Sequence, residues 1–89
     1  MTLESYLRPS VRAFALAMED ELRLNDFKGG WESCDVGWLL VRAAEELAEL
    51  QGAVLFGGDV LSEAADLANI VHMIADVLGV LHYERQRGA

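Results

Sequence analysis

The stretch Asp35-Val36-Gly37-Trp38-Leu39-Leu40-Val41-Arg42-Ala43-Ala44-Glu45-Glu46-Leu47-Ala48-Glu49-Leu50-Gln51 decides how the chain is read. Val36, Leu40, Ala43, Leu47 and Leu50, with Val54 beyond, recur at steps of three or four, the period of one helix face. The spacing predicts a helix from about Ser33 or Asp35 to Gln51, with Gly52 as its C-terminal stop. Upstream, Leu3, Leu7, Val11, Phe14, Met18 and Leu22 keep the same period. Pro9 suits the first turn of the main segment there, and Asn25 to Gly30 ends it. Downstream, Gly57-Gly58 makes a turn, and Asp59 or Ser62 caps a third helix running to about Leu78, with Gly79 leaving its end open. The polar residues 84–89 are expected to fray. No strand, repeat or linker pattern appears. The expected class is all-α: one antiparallel helical bundle across residues 1–89.

Eighty-nine residues place the chain near the size where a lone core is thin, yet 53% of them are hydrophobic. Burial of apolar faces between subunits resolves that mismatch, so an oligomer is expected. A net charge of −8 argues against nucleic acid as a partner, because binding a phosphate backbone needs a basic patch. A metal-bridged nucleotide escapes the objection, since the cation presents positive charge where carboxylates gather. Cys34 is the single cysteine, which fits a reducing compartment. The N-terminus lacks the pattern of a signal peptide. The longest apolar run, Leu67 to Leu81, is interrupted by Asn69, His72 and Asp76, so no membrane span is expected. A cytoplasmic location follows as the default.

Two acidic motifs carry the chemistry: Glu45-Glu46-Leu47-Ala48-Glu49, then Glu63-Ala64-Ala65-Asp66 with Asn69 after it. Carboxylates three residues apart share a helix side, about 5–6 Å apart at Cβ. At about 100° per residue, the apolar arc of the central helix centres near Val36, Ala43 and Leu47. Glu46 borders this arc, Glu49 lies further out and Glu45 almost opposite. That segment alone reads better as a solvated face on which Arg42 pairs with Glu46. The third helix changes the balance. Glu63 and Asp66 share a column with Ile70, Met73 and Val77, so the carboxylates begin a stripe that turns apolar. Unpaired acids taken out of water repel and protonate unless a cation holds them. Oxygen-only ligation points to Mg²⁺, or Mn²⁺, over zinc. His72, His82 and Cys34 read as packing or surface residues, and Gly29-Gly30 and Gly57-Gly58 as turns.

The order Lys28-Gly29-Gly30-Trp31, then Glu45-Glu46-x-x-Glu49, then Glu63-x-x-Asp66-x-x-Asn69, resembles the MazG-like all-α nucleoside triphosphate pyrophosphohydrolases. The small single-domain members of phage and mobile elements are the nearest in pattern, and the likeness spans about Met18 to Asp76. It implies Glu46, Glu49, Glu63 and Asp66 as metal ligands and Glu45 as the residue that orients or deprotonates the attacking water. It places Asn69 beside the metal, against a phosphate or sugar oxygen. The implied reaction is Mg²⁺-dependent hydrolysis of a nucleoside triphosphate between the α- and β-phosphates, giving the monophosphate and pyrophosphate, in a homodimer or homotetramer. Lys28 is the first cationic candidate for the phosphates and Arg42 the second, each equally readable as surface charge. Trp31 is a candidate base platform, whereas Trp38 reads as packing. Two rivals stand beside this reading. One is a phosphoribosyl-ATP pyrophosphohydrolase-like enzyme, whose Gly-Ser-Tyr-Thr-like segment is not seen. The other is a non-catalytic helical oligomer or partner-binding protein.

Overall fold

The computed structural model describes residues 1–84, and among these it is all-helical with no strand. Fraying is expected of residues 84–89; of these Glu84 is described, outside any helix and exposed, and residues 85–89 lie outside the described ones. Four α-helices follow in order: α1 (Leu3–Tyr6), α2 (Pro9–Leu24), α3 (Val36–Phe56) and α4 (Val60–Val77). A 3-10 turn at Asp26–Lys28 follows α2. No helix among the described residues is long and apolar enough to cross a membrane.

The upstream stripe does not form one continuous helix. Thr2 and Ser5 make a reciprocal capping box that starts α1. Leu7 and Arg8 then turn extended (ψ 138° and 144°), the conformation that a following proline imposes on its predecessor. Arg12 Nη1 donates to the Glu4 carbonyl at 2.7 Å and ties the two pieces together.

The central helix also differs from expectation: α3 passes through Gly52 and stops at Gly57 (φ +90°). One interior glycine costs only about 1 kcal/mol, less than abandoning a further turn of backbone hydrogen bonds and the burial of Ala53. Asp59 then caps α4, its Oδ1 accepting the Ser62 N–H at 3.0 Å. So short a turn folds α3 and α4 into an antiparallel hairpin, and α2 lies against α4. At the far end, Gly79 (φ +73°) and the bond from Val80 N–H to the Ala75 carbonyl (3.2 Å) reverse the chain after α4.

The interior is unusual in content. Leu39, Ala53 and Ala65 are its buried apolar residues, and Glu46, Asn69 and Asp76 are buried with them. The buried face of α3 thus runs through Leu39, Glu46 and Ala53, not through Leu47, which is 45% exposed. The helix is apolar on more than one side, and a single chain covers only one of them. Leu40, Val54 and Leu55 on α3, Leu61 and Val71 on α4, and Leu78 just after it remain open to solvent.

Candidate functional site

Glu46 on α3 faces Glu63 and Asp66 on α4. One carboxylate oxygen from each lies within 4.8 Å of the others. Glu46 is 6% exposed, and Oε2 of Glu46 and Oε2 of Glu63 are both buried without a hydrogen-bond partner. Two further acids press on this group. Glu49, solvent-exposed, stands beside Glu46 and Glu63 on α3. Glu21, from α2, lies against Asp66 and accepts the Ser62 hydroxyl at 3.0 Å.

The electrostatics follow from this crowding. Burial, with the charges of Glu21, Glu46 and Glu63 added, pushes Asp66 up to about 6. Glu46 is raised by burial and by Glu49, against a partial counterweight from Arg42. Glu63 is raised by its loss of water and by Glu49. Arg42 Nη2 donates to Glu46 Oε1 at 2.5 Å, and its Nη1 to Glu45 Oε2 at 3.2 Å. The pairing expected of a surface helix therefore forms, but it satisfies a single oxygen of the cluster. The donors left over are hard, anionic and inward, a set that fits Mg²⁺ or Mn²⁺.

A cleft of about 390 Å³ opens beside the acids. Glu46, Asp66 and Asn69 line it together with Trp31, Arg42 and Lys28. Asn69 is buried; its Nδ2 donates to the Met18 carbonyl at 2.9 Å, and its Oδ1 is buried without a partner. Lys28 is exposed at the rim, its Nζ 5.8 Å from the Phe27 ring centre. Trp31 is half-buried, packs edge-on against His72 with ring centres 5.3 Å apart, and donates its indole N–H to Asp76 Oδ2 at 2.8 Å. Trp38, expected as packing, is instead 54% exposed on the cleft wall. Cys34 lines the same wall, and His82 is exposed.

The fold thus gathers Glu46, Glu63 and Asp66 tightly, with Glu49 on their solvent side. It lines one cleft with Lys28, Trp31, Arg42 and Asn69. Glu45 stands apart, with 55% of its side chain exposed, held by Arg42 and outside the cleft lining. Sequence reasoning missed Glu21 and Asp76. Glu21 had a signal, because it projects about 20° from Phe14, inside the apolar stripe of its helix. Asp76 interrupts an apolar run and is 4% exposed. A comparison with known proteins finds no family model, no curated protein and no solved structure that matches the chain.

Proposed function

We propose that the chain is a Mg²⁺-dependent nucleoside triphosphate pyrophosphohydrolase with a MazG-like helical bundle. One observation carries this reading. Carboxylates from two helices converge with buried oxygens that no protein donor satisfies, at the floor of a cleft of substrate size. Glu46, Glu63 and Asp66 would hold the cation, with Glu49 closing the set from the solvent side. Once bound, the cation supplies neutralisation of phosphate oxygens and a water of lowered pKa.

The chain's own residues do the rest. In the reaction a water oxygen bonds to the α-phosphorus, the bond from that phosphorus to the bridging oxygen breaks, and pyrophosphate leaves. A carboxylate takes the water's proton. Glu45 is the proposed acceptor, and reaching a water beside the cluster requires its ion pair with Arg42 to open. Opening it also frees Arg42 Nη1 for phosphate oxygens while Nη2 stays on Glu46, with Lys28 available at the rim. The unpartnered Oδ1 of Asn69 is an acceptor, which suits a sugar hydroxyl better than a phosphate oxygen. Trp31 offers a face to the base.

A homodimer or larger assembly belongs to the same proposal. The accessible surface is 6877 Å², against roughly 5,200 Å² for a compact monomer of 9.8 kDa. The exposed apolar faces of α3 and α4 are part of that surface. A non-catalytic helical oligomer draws on those same faces, and on the Arg42–Glu46 pair. Assay separates the two. Incubation with each ribo- and deoxyribonucleoside triphosphate and Mg²⁺ should yield monophosphate and pyrophosphate, and chelation should stop it. No turnover of any triphosphate, with no magnesium heat in calorimetry, would leave the inert oligomer.

A further inference from the structure

Trp31 stands between two clefts. One is the acid-floored cleft; the other, of about 400 Å³, is walled by Trp31, His72 and Tyr83. The loop that carries Trp31, between the 3-10 turn and α3, has no regular structure to fix the ring. What fixes it is Asp76, near the C-terminal end of α4. This buried carboxylate accepts the Trp31 indole N–H on Oδ2 at 2.8 Å and the Tyr83 hydroxyl on Oδ1. Tyr83 reaches it because the Gly79 reversal turns the chain back along α4. An indole has one donor, so its direction is set by where its acceptor sits. His72, edge-on to the ring, restricts the remaining tilt.

We infer that Asp76 is a positioning residue, acting through Trp31 to hold the indole as a fixed wall of the nucleotide cleft. Base recognition is thereby set from a point outside the acid cluster. The inference rests on the pyrophosphohydrolase reading and adds a determinant to it. Asparagine at this position keeps the shape of aspartate but loses its charge: the Tyr83 hydroxyl can turn to accept from the NH₂ group, and the indole N–H is left with a neutral acceptor in place of a charged one. Fixing the ring in advance lowers the ordering cost of stacking a base. It gives nothing to a phosphate chain that has no base.

The test compares the wild-type chain with Asp76→Asn, Trp31→Phe, Trp31→Ala and the Asp76→Asn/Trp31→Ala pair, each checked for fold by circular dichroism. The readouts are KM and kcat on a turned-over nucleoside triphosphate, and inhibition by magnesium tripolyphosphate. Asp76→Asn should raise KM about fivefold, the difference between a hydrogen bond to a charged group and one to a neutral group, with kcat within about twofold. Tripolyphosphate inhibition should not change. Trp31→Phe, which removes the N–H donor and trims the ring to a smaller aromatic face, should raise KM at least as much. In the Trp31→Ala background, Asp76→Asn should add almost nothing, because coupled residues are not additive. Wild-type turnover with KM unchanged in Asp76→Asn and Trp31→Phe overturns the inference and leaves the enzyme reading standing. Equal losses for nucleotide and tripolyphosphate, or multiplying effects in the double variant, overturn it as well. Absence of wild-type turnover removes the enzyme reading and the inference together.

Discussion

At the scale of single residues, the acids at the cleft floor hold charge that the fold alone does not balance. Asp66, raised to about 6 from the usual 3.8, binds its proton more tightly in the folded chain than in the unfolded one. Its contribution to stability is therefore complete below about pH 3.8 and lost as pH rises through about 6. Calorimetry in the presence of a chelator should show the melting temperature falling across that window. Asp66→Asn should flatten this limb, and Mg²⁺ added at pH 7 should restore stability to the unsubstituted chain. Magnesium affinity should weaken below about pH 6, where protons compete for the same oxygens. A wild-type melting temperature that rises across the window without metal would contradict the burial of this cluster. Glu46→Gln and Asp66→Asn should each lose magnesium binding and at least a hundredfold in turnover. Without metal, Asp66→Asn should gain about 1–2 kcal/mol in denaturant melts at pH 7, the partly screened cost of its charge. The inward turn of Glu46 and Asp66 was legible from helix projection. Glu21 lies inside the apolar stripe of its own helix, but its meeting with Asp66 was not legible, because the two helices are distant in sequence.

At the scale of elements, local chemistry set most boundaries. Pro9 opened a helix, Asp59 capped one, and the glycines near position 57 turned the chain between two. The Leu7–Arg8 break and the passage of α3 through Gly52 run against the periodicity and the glycine signal. In both places two local preferences conflict, and packing or backbone geometry chooses between them. Gly52 is an interior helix residue with open space where a Cβ would stand. Gly52→Ala should therefore stabilise the chain by up to about 1 kcal/mol. Gly57→Ala should destabilise it by about 1 kcal/mol or more, since φ of +90° strains any residue that has a Cβ. Urea titrations of the two variants should move the midpoint in opposite directions. If both move the same way, the α3 terminus is misplaced.

At the scale of the molecule, three helices enclose a polar centre and leave apolar faces on the outside. Sedimentation at micromolar concentration should show a dimer or larger, and Leu47→Glu with Leu55→Glu should shift it toward monomer. A wild-type monomer with an unchanged melting curve in that double variant would show that these faces need no cover. The sequence by itself determined the helical class and the inward lean of Glu46 and Asp66, because these follow from a period of about 3.6 residues. Tertiary structure alone decided that α2 sends Glu21 to the cluster and that Asp76 anchors Trp31 from 45 residues away. Such contacts depend on how helices cross and where a chain reverses, and no periodicity along one segment encodes them.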